Sequence, residues 1–129
     1  MKQYDARALA VEWVDAWNAH DLELILSHFS DDVTFSSPVA TRIVPESGGV
    51  IQGKAALRVY WREGLRRIPN LRFEIEGVYV GVGALVINYR NQDDRLVCEV
   101  LFLDGTLVTK GLGTYLDDGR STGGFATSK

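Results

Sequence analysis

"NAHDLELILSHFSDDVTFSSPV", residues 18–39, changes period partway along, and that change decides the fold. Asp21 suits a helix N-cap, and "LELILSHF" (22–29) follows it as a short helix. "SDD" (30–32) ends that helix, in a turn to a strand. "VTFSS" (33–37) then alternates apolar and polar residues, as a half-buried strand does, with Val33, Phe35 and Ser37 on one face. Upstream, Ala8, Val11, Trp13 or Val14, and Trp17 recur at helical spacing and predict a first amphipathic helix.

Downstream, "PVATRIVPESGGV" (38–50) reads as a loop with two prolines and two glycines. "QGKAALRVYWREGLRRIPN" (52–70) predicts a third helix that begins near Gly53 and stops by Pro69, because proline disfavours helix in the residue before it. Its apolar side is expected to carry Ala56, Val59, Tyr60 and Leu65. After Asn70 the pattern becomes strand-like in "LRFEIEGVYVG" (71–81), "ALVINYRN" (84–91), "RLVCEVLFLD" (95–104) and "TLVTKGLGTYL" (106–116). Short joints, among them the turn dipeptide Asp104-Gly105, make these four an antiparallel meander. Gly77, Gly111 and Gly113 within strands predict bulges or bends that curl the sheet. The reading is an α+β chain, 1–129 as a single domain. A curved mixed or antiparallel sheet is wrapped by three N-terminal helices into a cone whose open end is a pocket, and about 118–129 form a flexible tail.

The formal net charge of -3, from 14 basic and 17 acidic residues, argues against nucleic acid as the main partner. The locally basic "RVYWREGLRR" (58–67) reads as the solvated face of the third helix. One cysteine, Cys98, excludes an intrachain disulfide and sits in an apolar run as a small buried hydrophobe. The first ten residues lack the apolar core of a signal peptide, and no stretch reaches the roughly 20 apolar residues of a bilayer span. The expectation is a cytoplasmic protein with no membrane partner.

"EWVDAWNAHDLELILSHFSDDVTFSSP" (12–38), "IQGKAALRVYWREGLRRIPNLRFE" (51–74) and the closing strands resemble the nuclear-transport-factor-2-like superfamily, in its SnoaL-like and ketosteroid-isomerase-like branch. The resemblance covers nearly the whole chain and implies a cystatin-like α+β barrel. It constrains function far less, because this superfamily holds isomerases, dehydratases, epoxide hydrolases, cyclases and non-catalytic binding proteins. In the steroid isomerases the residue before the proline of this strand is a proton-shuttling aspartate, and here it is Ser37. A hydroxyl is un-ionised near neutral pH and cannot replace that base unaided. Trp13 stands where those enzymes carry a hydrogen-bonding tyrosine, and Glu99 is the nearest match to their protonated aspartic acid. Steroid-type isomerisation by that machinery is therefore rejected.

Glu99 shares a strand face with Val97 and Leu101. Three settings stay open for it: the pocket, a structural or interface ion pair, and solvent. In the pocket, desolvation would raise its pKa and suit it to acid or base work. Asn88 and Tyr89 point to opposite faces of their strand, so one of them meets the pocket whichever face lines it. Tyr60 and Trp61 are expected as apolar lids, and Trp13, Trp17 and Phe35 as the wall, with Ser37 beside them. His20 and His28 read as turn and helix-end residues, without a carboxylate or cysteine at ligand spacing, so no metal is assigned. Nothing in the chain signals an organic cofactor, since "GVGALV" (81–86) lacks the third glycine and the following helix of a dinucleotide site.

The leading expectation is a cofactor-independent isomerase, cyclase or dehydratase acting on a hydrophobic carbonyl-bearing or cyclic metabolite. Glu99 would be its acid or base, and Tyr89 or Asn88 would orient the ligand with Ser37. The alternative is a non-catalytic ligand-binding or accessory domain, distinguished by whether a carboxylate faces the cavity. Apolar residues on both sheet faces, notably Leu96, Cys98, Val100 and Phe102 on one, further predict a homodimer through the outer face.

Overall fold

The computed structural model describes residues 5–117 and 119. The expected tail, about 118–129, lies outside the described residues apart from Gly119. Helix α1 (Ala6–Asn18) and the short α2 (Leu22–Leu26) come first, each capped by an aspartate side chain, Asp5 and Asp21. Strand β1 (Phe29–Ser36) follows, then helix α3 (Pro38–Ile43), a single 3-10 turn (Pro45–Ser47) and strand β2 (Val50–Gln52). Helix α4 (Lys54–Arg67) precedes the meander of β3 (Glu74–Gly81), β4 (Ala84–Arg90), β5 (Leu96–Asp104) and β6 (Leu107–Tyr115). The six strands form one curved, unclosed sheet in the order β2-β1-β6-β5-β4-β3. All neighbours are antiparallel except β1 and β6, which run parallel.

Two elements lie in the segment expected to be a loop. Ser37 ends β1 in extended backbone and its hydroxyl accepts from the Val39 N–H, while Pro38 occupies the first helical turn. Serine at the N-cap with proline after it starts a helix, because proline's fixed φ suits that position and its missing N–H would be unpaired there anyway. Among the described residues the sheet is therefore accompanied by four α-helices rather than three. Asp31 and Asp32 sit within β1, not in a turn before it, where the β1–β6 register shifts between Phe29 and Thr34.

The helix faces differ from the spacing in detail. On α1 the buried set is Leu9, Ala10, Trp13, Val14, Ala16 and Trp17, and Val11 faces out. On α4 it is Leu57, Tyr60 and Trp61, with Val59 and Ala56 exposed. In each case the large aromatic side chains set the rotation, since they bury far more apolar area than a valine or alanine. They join in one cluster, with ring centroids 5.0 Å apart for Trp17 and Trp61, 5.2 Å for Phe35 and Trp61, and 4.1 Å for Phe73 and Tyr89.

Gly77 does mark a bulge, as the β3–β4 register shifts between Ile75 and Gly77. Gly111 and Gly113 do not. They lie in unbroken register with β5 and serve as close-approach positions. A Cβ at Gly111 would stand 2.9 Å from the Phe35 ring, and one at Gly113 would stand 3.3 Å from the Ser37 hydroxyl.

The "NAHD" run (18–21) ties the helices to the sheet. The Asn18 side-chain amide donates to the Phe73 carbonyl at 3.0 Å and accepts from the Phe73 N–H at 2.7 Å, as a neighbouring strand would. His20, in left-handed backbone at φ 55, places its Nε2 3.0 Å from the Leu71 carbonyl. Asn18→Ala leaves both partly buried Phe73 groups unpaired and is expected to cost about 1–3 kcal/mol. Urea unfolding measures the loss, with faster hydrogen exchange at the Phe73 amide. Wild-type stability in the variant would show that this pairing does not hold β3 to α1.

Candidate functional site

Strand alternation turns Leu85, Ile87 and Tyr89 of β4, Val97, Glu99 and Leu101 of β5, and Gly111 and Gly113 of β6 toward the helices. The layer between sheet and helices opens near α3, the second half of α4 and the β4–β5 turn. There a cavity of about 90 Å³ lies open to solvent at its mouth. Its apolar wall is formed by Trp17, Phe35, Tyr60, Trp61 and Phe73. Glu99 stands opposite Gly113 in the ladder, and that glycine leaves room chiefly for the Ser37 side chain.

Glu99 is buried at 5% exposure and receives a hydrogen bond from the Tyr89 hydroxyl at 3.0 Å. Burial raises the Glu99 pKa to about 8, and the Tyr89 bond opposes that only in part. Near neutral pH the group is therefore mainly a carboxylic acid. One oxygen accepts from Tyr89, and the acid's own O–H remains as a donor. Burial likewise pushes the Tyr89, Tyr60 and Tyr115 phenols above the ordinary range, and the Glu99 charge adds to the shift in each. Ser37 meets both Tyr60 and Tyr115 by hydrogen bonding, which acts against the rise in each. The result is a polar strip of Glu99, Tyr89, Ser37, Tyr60 and Tyr115 set into an aromatic wall. It contains hydroxyl and carboxyl donors, and Glu99 is the carboxyl among them.

The expected residues fall in three places. Glu99, Tyr89, Ser37, Trp17, Phe35, Tyr60 and Trp61 all line the cavity. Trp13 does not: it sits one layer behind the wall at 1% exposure, 5.8 Å from both the Phe73 and Tyr89 rings, and acts as backing. Asn88 is on the opposite face of the sheet, where its side-chain N–H donates to the Val97 carbonyl at 3.1 Å. Because Tyr89 faces the cavity, strand alternation sends Asn88 outward.

Tyr115, Arg42 and Phe73 are among the lining residues that the sequence reading did not name. Tyr115 was legible, since it shares the face of Gly111 and Gly113 at period two. Arg42 depended on recognising α3. Among the described residues no His, Cys, Asp and Glu side chains gather in a group of three or more that could hold a metal. Among the same residues no helix is long and apolar enough to cross a membrane.

A helix-covered, unclosed sheet defines the class: a cystatin-like α+β fold. The chain belongs to the SnoaL-like domain family, whose model matches residues 10–101. It is similar to a SnoaL-like protein of unknown function from Burkholderia thailandensis, at 40% identity and TM-score 0.82 over 91% of this chain and 99% of that one. It shares its fold with a SnoaL-like family protein from Agrobacterium tumefaciens for which an isomerase role has been suggested (14% identity, TM-score 0.68, 87% and 97% covered). The same holds for AclR from Streptomyces galilaeus, for which a hydroxylase role has been suggested (19% identity, TM-score 0.67, 86% and 88% covered). No curated protein matches the chain.

The raised Glu99 pKa has a consequence for stability. The folded chain holds that proton more tightly than the unfolded chain, so its stabilisation is full below about 4.5 and is lost as pH rises toward about 8. Glu99→Gln is neutral at every pH. It should gain on wild type across that window by up to about 1.4 kcal/mol per pH unit. Urea unfolding near pH 5 and near pH 9 checks this, and a stability difference that does not change with pH would place Glu99 in contact with water.

Proposed function

We propose that the chain is a cofactor-independent enzyme of the isomerase, cyclase or dehydratase type, acting on a hydrophobic carbonyl-bearing or cyclic metabolite. The observation that carries this reading is the Glu99 carboxyl, buried on an aromatic cavity wall and hydrogen-bonded by Tyr89. A carboxylic acid kept neutral near pH 7 can give its proton to a carbonyl or leaving hydroxyl oxygen of the substrate. The carboxylate so formed then takes a proton from a substrate carbon, and the residue returns to its starting state with no net proton consumed. Tyr89 holds the carboxyl in place and steadies its charged form through the same hydrogen bond. Ser37 contributes a hydroxyl to the wall rather than a base, since its oxygen already accepts from the Val39 N–H.

Turnover carried by the acid form should be level below about pH 8 and fall above it. Glu99→Gln keeps the shape, removes the proton, and should lower kcat roughly a hundredfold or more. The screen is proton exchange into enolisable cyclic ketones, followed by NMR in deuterated water. Turnover indifferent to Glu99→Gln would leave the site as a binding pocket without chemistry.

The reading includes a homodimer through the outer sheet face. Among the described residues no helix covers that side, and Val86, Val100 and Leu112 form an apolar row across β4, β5 and β6, flanked by Leu96 and Phe102. A second copy related by a two-fold axis would cover this row with the same surface. Val100→Asp is expected to turn a dimer into a monomer at micromolar concentration in light scattering. A monomeric wild type under those conditions removes the dimer from the proposal.

A further inference from the structure

Arg42 supplies the positive charge in a cavity whose other ionisable groups are neutral near pH 7. The ionisable residues lining it are Arg42, Glu99, Tyr60, Tyr89 and Tyr115. The phenols are held protonated by burial, and Glu99 is mainly a neutral acid below about pH 8. Four other arginines are closely met by acids: Arg58 by Glu23 at 2.9 Å, Arg66 and Arg67 by Glu63 at 2.7 Å, and Arg90 by Glu76 at 3.4 Å. Among the described residues no carboxylate is paired with Arg42, although the chain carries an excess of acids. A half-buried guanidinium without a counter-charge loses hydration and gains nothing in return, unless an anion arrives. The backbone of Arg42 is held by α3, which the Ser37 cap starts beside the cavity wall, so the residue stands at the cavity before any ligand binds.

We infer that the cavity takes a hydrophobic carboxylic acid, with its ring against Trp17, Phe35, Trp61 and Phe73 and its carboxylate on the Arg42 guanidinium. This rests on the pocket reading above and names its substrate class: a cyclic or aryl acid with a second, reacting oxygen function directed to Glu99. The five N–H donors of a guanidinium match the two oxygens of a carboxylate, whereas an ester or amide offers it one neutral acceptor.

The test uses 2-naphthylacetate and its isosteric neutral partner 2-naphthylacetamide, titrated calorimetrically at about pH 7 into wild type and Arg42→Gln. Wild type should bind the acid roughly tenfold or more tightly than the amide, as a charge-assisted pair warrants, and the preference should shrink with added salt. Arg42→Gln should remove most of the preference and leave amide affinity nearly unchanged. Equal affinity of wild type for acid and amide overturns the inference while leaving the pocket reading intact, as does a preference that survives in Arg42→Gln. Binding of neither compound overturns both.

Discussion

A carboxyl group buried against aromatic rings is costly to ionise, and the polar architecture of this cavity is arranged around that cost. Glu99 sits on a central strand between Ile87 and Gly113, with Val97 and Leu101 on the same face. A Cβ at position 113 would press on the Ser37 hydroxyl at 3.3 Å and only touch the Glu99 carboxyl at 3.9 Å, so the glycine makes room chiefly for Ser37. Tyr89 then supplies one hydrogen bond, enough to orient the group and too little to restore an ordinary acidity. The three phenols are raised for the same reason as the carboxyl. Low dielectric thus produces a set of neutral O–H groups in place of a charged dyad.

That arrangement bears on the serine before the proline. In the resembling steroid isomerases a carboxylate occupies this place and moves protons. Here Ser37 caps α3 and meets Tyr60 and Tyr115. A second carboxylate beside a buried Glu99 would push both carboxyls further from ionisation, because like charges at short range in low dielectric repel strongly. The serine hydroxyl instead keeps the strip neutral and spends its lone pair on a helix start. In the proposed reading, proton chemistry belongs to the β5 carboxyl rather than to the β1 strand end.

Much of the fold was legible because period is robust to detail. The helix-to-strand change at Asp21–Val33 and the alternation of β3 to β6 survive small errors in face or boundary. What escaped depended on single residues. Ser37-Pro38 carried a helix-start signal, but α3 has only six residues, too few for a hydrophobic period to show. Helix rotation was misplaced at Val11 and Val59 because aromatic bulk outweighed the spacing of smaller residues. Asn88 against Tyr89 was a two-way choice, and only tertiary placement of the helices decides which sheet face is inner. For Trp13, helical spacing placed it beside Trp17 but could not separate the wall from the layer behind it, since both are buried.

The same contrast limits what shared fold says about chemistry. Structures below 20% identity share the curved sheet and its covering helices, a scaffold set by apolar area and strand pairing. Those forces tolerate wide substitution, because any side chain of suitable size fills a wall. Polar positions within the wall are not interchangeable in this way. Exchanging Glu99 for an aliphatic residue would ease burial, and exchanging Arg42 would remove a half-buried charge, so neither is retained by packing energy. The wall therefore follows the common architecture, while under the proposed reading the Glu99 acid and the Arg42 guanidinium would select a ligand that is apolar along its body and polar at more than one point.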